Sequence, residues 1–190
     1  MKLNAKEILR PTLMLFVICL VVTGLLAGTN LLTKDIIAQQ EAAAEESSRK
    51  VVLPDAASFE EKTLSLNGED VIYYDASDAS GAYAGSVFTT KAKGYGGDVS
   101  VMTGFDKDGG ISGVVILSQN ETPGLGANAT NQSFLEQFKQ NVQGSLEVIK
   151  SGTPSDGQIQ ALTGATITSE AVASAVNQAI SMNQSIKEGE

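Results

Sequence analysis

The sequence predicts an α+β protein: a single N-terminal transmembrane helix, then a soluble domain with a mainly antiparallel sheet and packed helices. Three observations predict it. An uncharged, largely apolar run covers Pro11 to Thr33, strand-length segments between residues 63 and 118 are joined by short links, and amphipathic helical patterns follow after residue 132.

The apolar run is the first element. About 23 helical residues reach roughly 34 Å, enough for a hydrocarbon core of roughly 30 Å. Lys2, Lys6 and Arg10 precede the run, whereas on its other flank Lys34 is followed at once by Asp35. The positive-inside bias therefore puts residues 1–10 in the cytoplasm, residues 11–33 across the cell membrane and the bulk of the chain on the outer face. The run is longer than a signal-peptide core, and Ala27-Gly28-Thr29 is a poor cleavage site, so a retained single-pass anchor is expected. Phe16-Val17-Ile18 lacks the small residues that would make Cys19 a lipidation site; Cys19 reads as an apolar residue of the span.

Residues 34–53 follow as a helical stalk. Ile36 to Lys50 is rich in Ala, Glu and Gln with no Gly or Pro, and Pro54 stops it. The outer domain takes up residues 54–190. Thr63-Leu64-Ser65-Leu66, the Asn67-Gly68 turn and Val71-Ile72-Tyr73-Tyr74 form a hairpin signal. Further strands are expected at 85–91, 98–105 and 111–118; the alternation of Val99, Val101 and Thr103 implies one buried face. Asp106-Lys107-Asp108-Gly109-Gly110 is a hairpin turn, because a calcium loop starting there would have Leu117 where a bidentate Glu is required. Gly94-Tyr95-Gly96-Gly97 lies between strands, so it is neither a dinucleotide fingerprint nor a P-loop; it reads as a turn, with Tyr95 a candidate wall for a flat ligand. Residues 119–128 form a pocket-length loop, broken by Pro123, Gly124 and Gly126. Ser133 to Val142 predicts an amphipathic helix with Phe134, Leu135 and Phe138 on one face, and Leu146 to Lys150 an edge strand. The last helix is expected to start near Thr168, with Val172, Val176, Ala179 and Ile180 on its inner side, Ala171 and Ala175 for close packing and Glu170 in its first turn.

Composition removes several chemistries. The chain of 190 residues has no histidine and one cysteine, so an internal disulfide, a Cys or His metal cluster, a haem attachment and a histidine base are all excluded. No metal site and no catalytic residue of its own are expected. The net charge is −9, and since the first ten residues are net basic, the acidic excess lies beyond them. Nucleic acid is not an expected partner.

The remaining candidate is Leu162-Thr163-Gly164-Ala165-Thr166-Ile167-Thr168-Ser169, a strand-to-helix corner crowded with hydroxyls. By residue type it reads either as ordinary turn and capping chemistry or as a phosphate cradle, in which a glycine admits a ligand and free N–H groups meet its charge.

Glu121-Thr122-Pro123-Gly124-Leu125-Gly126, followed some forty residues later by Thr163-Gly164-Ala165-Thr166, resembles the FMN-binding domain family. The first stretch is similar to that family's ETPGLG loop and the second to its S/T-G-A-T flavinylation motif. Behind one N-terminal span, and after Gly-Tyr-Gly-Gly, the likeness is to the G subunits of Rnf-type ion-translocating electron-transport complexes. The resemblance implies FMN joined through its phosphate to the hydroxyl of Thr166 by a separate flavin transferase with FAD as donor. It places Thr163 and Thr168 about the phosphate, Glu121, Thr122, Leu125 and Gly126 about the ring, and Gly164 and Ala165 as a small pair that obstructs neither the modifying enzyme nor the flavin. It also implies one-electron relay between other membrane subunits of a complex that couples ferredoxin:NAD electron transfer to Na⁺ or H⁺ movement. Two positions depart from the pattern: Gln160 stands where the motif commonly has Asp, and Gln119 and Asn120 where the family often has a histidine. The C subunit of Na⁺-translocating NADH:quinone oxidoreductase, a stand-alone anchored flavoprotein and a non-flavin binding domain are the alternatives.

Overall fold

A computed structural model of the chain describes residues 5–66, 68–141 and 144–189. The first element, α1, is one helix over Ala5–Val52 and covers the predicted span and all but the last residue of the predicted stalk. From Leu9 to Leu32 its large apolar side chains are exposed, and by length and composition it can cross a membrane. Its hydroxyls suit that setting: Thr29 Oγ1 donates to the carbonyls of Leu25 and Leu26, and Thr33 Oγ1 to that of Thr29. Both hydroxyls are thus satisfied within the helix, as an apolar solvent requires.

Contacts divide the chain into one compact unit up to Ala44 and a second from Glu45. The second unit is built on a five-stranded antiparallel meander, β1 (Ser58–Leu66), β2 (Glu69–Ser77), β3 (Tyr83–Lys93), β4 (Asp98–Asp106) and β5 (Ile111–Ser118), paired in chain order. Short links make this order necessary, since adjacent strands without a crossover must run antiparallel. Asn67, in the predicted first turn, lies outside the described residues. The turn at residues 106–110 closes through Asp106, whose Oδ1 accepts from the N–H groups of Asp108 and Gly110.

β4 departs from the expected single buried face. It is buried on both sides from Val99 to Phe105. Val99, Val101 and Phe105 join the larger core under the last helix, α3 (Thr166–Gly189), and Met102 faces a second cluster with Val52, Leu53, Ala76 and Val87. That second face is closed by the end of α1, so Val52 and Leu53, counted with the stalk by sequence, are buried in the domain. Glycine makes room for them. A Cβ on Gly104 would lie 2.6 Å from the Val52 carbonyl oxygen, and one on Gly113 2.8 Å from Val52 Cα. Ser112 Oγ donates to the same carbonyl. The two glycines are register partners on β4 and β5.

On the other face α3 lies across β3 and β4. Val172, Val176, Ala179 and Ile180 are buried as predicted, with Ala171 and Ala175. Thr90 Oγ1 donates to the Ala175 carbonyl and Ser86 Oγ to Asn183 Oδ1, so these two buried hydroxyls of β3 are satisfied by the helix. Tyr73, Phe88 and Phe105 form an aromatic row, stacked at 5.4 Å and edge-on at 5.8 Å. The helix begins at Thr166, two residues before the expected start, so Glu170 lies beyond its first turn.

The predicted helix at 133–142 is shorter than its pattern. α2 covers Gln132–Leu135, and a 3-10 turn, Glu136–Phe138, ends it. Phe134 and Phe138 are buried edge-on to each other, as their spacing implied, but the chain turns away at Lys139. Tertiary hydrogen bonds explain the stop: the Gln140 carbonyl accepts from Ile111 N–H, and Gln140 Oε1 accepts from Gly157 N–H. Val142 lies outside the described residues. The expected edge strand is β6 (Glu147–Ile149), which pairs in parallel with a further short strand, β7 (Gln158–Gln160).

Candidate functional site

Three segments converge at the N-terminus of α3. The first is the turn after β3, closed by a bond from Gly94 N–H to the Gly97 carbonyl, with Tyr95 at its tip and 74% exposed. The second is the loop after β5. Thr122 begins a turn in which its carbonyl accepts from Leu125 and Ala127 N–H, and a short 3-10 helix, Gly126–Thr130, follows. The third is the corner between β7 and α3. There Gly164 has a φ of 75°, which lets Ala165 N–H bond back to the Leu162 carbonyl before the helix begins.

The helix start is organised by Ser169. Its Oγ accepts from Leu162 N–H and donates to the Ala165 carbonyl, and its N–H bonds the same carbonyl. The N–H groups of Thr166, Ile167 and Thr168 occupy the first turn, where a helix has no carbonyl to offer them. They give the corner its capacity for an anion.

Between the segments is a cleft of about 580 Å³, lined by Tyr95, Glu121, Thr122, Leu125, Gly126, Gly164, Ala165, Thr166, Ile167 and Thr168. Eight of the nine predicted site residues line it, although the two groups are some forty positions apart in sequence. Thr163 is the exception. It lies in a separate shallow depression with Ser133, Phe134, Gln137 and Gln160, because the left-handed turn at Gly164 directs it away. Gln160 is in that depression too; its N–H donates to Gln137 Oε1.

Leu125 and Ile167, 46% and 52% exposed, give the cleft its apolar sides, and Tyr95 adds an aromatic face. Thr166, partly exposed, presents its hydroxyl at the first position of α3. Glu121 and Thr168 form the buried floor, with Thr168 Oγ1 donating to Glu121 Oε2 at 2.9 Å. Ile167 is missing from the sequence-derived set. Its neighbours in the motif were the signal, but an isolated Ile at a helix start is indistinguishable by pattern from a core residue.

The family model described as the FMN-binding domain matches residues 94–181, the span holding the whole cleft, and that described as the RnfG N-terminal region matches residues 1–52. The G subunit of the Na⁺-translocating ferredoxin:NAD⁺ oxidoreductase complex of Acetobacterium woodii is 38% identical, over 97% of this chain and 96% of its own. The chain belongs to the RnfG family. Another RnfG protein, from the proton-translocating ferredoxin:NAD⁺ oxidoreductase complex of Clostridium ljungdahlii, is 34% identical over 87% of this chain and 86% of its own. Among solved structures, the C subunit of the Na⁺-translocating NADH-quinone reductase of Parabacteroides distasonis has the same fold, with a TM-score of 0.57 and 19% identity over 76% of this chain and 94% of that one.

For an RnfG chain the cleft suits FMN on its own chemistry. Its volume lies within the range of small-molecule sites, roughly 300–1,000 Å³. An apolar and aromatic wall meets a flat ring, while the unpaired amides of a helix N-terminus meet a phosphate.

Proposed function

We propose that this chain is the FMN-carrying electron-relay subunit of a membrane-bound, ion-translocating ferredoxin:NAD⁺ oxidoreductase complex, with the cofactor esterified through its phosphate to Thr166 Oγ1. One observation carries the attachment: Thr166 is at the first position of α3, on the wall of the cleft that unites the two family motifs. A phosphodiester there keeps a negative charge, which the amides of Thr166, Ile167 and Thr168 and the helix dipole stabilise. Attachment forms the Oγ–P bond and breaks the pyrophosphate bond of FAD; AMP leaves, and the hydroxyl proton passes to solvent or to the transferase. FMN supplies one-electron redox chemistry when bound, and the protein sets its position and surroundings. Thr122, Leu125, Gly126 and Glu121 border the ring, and Gly164, Ala165 and Thr168 border the phosphate.

In this reading residues 1–10 are cytoplasmic, residues 11–33 anchor the chain, 34–53 form the stalk, and residues 54–190 carry FMN on the outer face. The partners are the other membrane subunits of the complex, with a flavin transferase for maturation. Relatives whose names specify Na⁺ and H⁺ are similar to this chain to nearly the same degree, 38% and 34%, and both ions suit the reading. The quinone-reductase C subunit is the less favoured assignment, since its 19% identity carries only the fold.

After coexpression with a flavin transferase, the full-length chain on a denaturing gel is expected to give a fluorescent band that vanishes in Thr166→Ala and persists in Thr163→Ala. A dark wild-type band would sink the covalent reading; fluorescence surviving in Thr166→Ala would move the attachment elsewhere.

A further inference from the structure

The three segments that make the cleft meet on one side chain. Glu121 is 6% exposed. Its Oε1 accepts from the Gly96 N–H of the first segment at 3.1 Å, and its Oε2 from Thr168 Oγ1 on α3 at 2.9 Å. Its own backbone N–H donates to Gln119 Oε1, which anchors it within the second segment. Thr168 is itself only 2% exposed. Among the described residues the one ion pair joins Lys62 to Asp75, so Glu121 is held by an amide and a hydroxyl without a countercharge.

The backbone around this carboxylate is fitted to it. A Cβ on Gly94 would lie 2.3 Å from Glu121 Oε1, and one on Gly126 would lie 2.6 Å from Oε2 and 2.5 Å from Thr168 Oγ1. A Cβ on Gly96 would lie 2.1 Å from the Asn120 carbonyl oxygen. Glycines on both sides therefore let two loops close onto Glu121 and leave no space for a larger residue.

We propose that Glu121 is a positioning residue, whose carboxylate clamps the 94–97 turn and the first turn of α3 together and so holds Thr166 in one orientation in the cleft. Thr168 is two residues beyond Thr166 in the same helical turn, so fixing its side chain holds the backbone turn that carries the acceptor hydroxyl and the first amides. Both donors are buried or partly buried. Removing the acceptor strands them, and the cost falls on the two segments that the clamp joins. Its relevance to flavin rests on the covalent-FMN reading above, whereas the clamp itself does not.

The test uses full-length protein in mild detergent, first without a transferase, with amide hydrogen exchange as the readout. Glu121→Ala is expected to speed exchange by about tenfold or more in segments 94–97 and 162–170, with residues 99–105 and 172–180 unchanged. Glu121→Gln is expected to stay within about threefold of wild type, because its oxygen can serve Gly96 N–H while its amide donates to Thr168 Oγ1. Thr168→Val is expected to free only the 162–170 segment, and it decides the question if Glu121→Ala does not fold. Wild-type exchange in both segments of Glu121→Ala, or equal acceleration throughout the domain, overturns the clamp; so does wild-type exchange in Thr168→Val. With a transferase coexpressed, the fluorescent band per protein is expected to fall at least about fivefold in Glu121→Ala and to return in Glu121→Gln. An equally bright Glu121→Ala band overturns the positioning of Thr166. A dark wild-type band removes the flavin reading alone and leaves exchange to judge the clamp.

Discussion

Thr103 sits at the middle of β4 with its side chain fully buried and its Oγ1 without a hydrogen-bond partner. A buried hydroxyl left unpaired is a cost of about 1–3 kcal/mol by mutational measures, while the same shape without the hydroxyl is apolar and keeps the packing. Thr103→Val is therefore expected to raise stability by about 1 kcal/mol, seen as a higher midpoint in thermal unfolding of the full chain in detergent. A lower midpoint would mean that the hydroxyl has found a partner. The same scale shows what could be read from the site in advance. Thr166, Gly164 and Glu121 were legible because the two motifs contain them. That Thr163 lies outside the cleft was not, because it depends on the positive φ of Gly164, which turns positions three apart in sequence toward different surfaces. Nor was the bond between Glu121 and Thr168, since nothing in either motif says that they meet.

Elements in this chain end where tertiary contacts end them. α1 runs on as one helix to Val52, and its last residues lie on the sheet over the Gly104 and Gly113 pair. A methyl at either position meets backbone, which cannot step aside as a side-chain end would. Gly113→Ala is thus expected to destabilise the domain by roughly 1–3 kcal/mol, measured as a lower unfolding midpoint. Gly28→Ala is the control: a Cβ there meets nothing within 4 Å, so no loss is expected. An unchanged midpoint in Gly113→Ala would show that the end of α1 is not seated on the glycines. The helix expected at residues 133–142 illustrates the converse. Its apolar spacing identified the buried Phe134 and Phe138 correctly, yet Gln140 bonds to Ile111 and Gly157, and those distant partners draw the chain out of the helix. Periodicity reports which residues face the core; it does not report where a competing hydrogen bond lies. β7 was missed for a related reason, since three residues paired in parallel with β6 are too few to show a period.

At the scale of the whole molecule the prediction is orientation. Basic residues before the span and their balance after it predict a domain outside the cytoplasm. In a Cys19→Ala background, Lys107→Cys puts a thiol in the exposed turn between β4 and β5. A membrane-impermeant maleimide is expected to label it in intact spheroplasts, and labelling only after lysis would reverse the topology. The sequence by itself determined the anchor, the antiparallel meander and the two motifs, because each depends on local properties: an apolar length, a link too short to cross over, a run of residue types. It also excluded histidine chemistry, an internal disulfide and a cysteine cluster. Tertiary structure alone decided that β4 is buried on both faces, that α3 starts at Thr166, and that segments around residues 95, 121 and 166 share one cleft. Those facts arise from packing between residues far apart in the chain, where glycines permit close approach and one buried carboxylate finds its donors on two other segments.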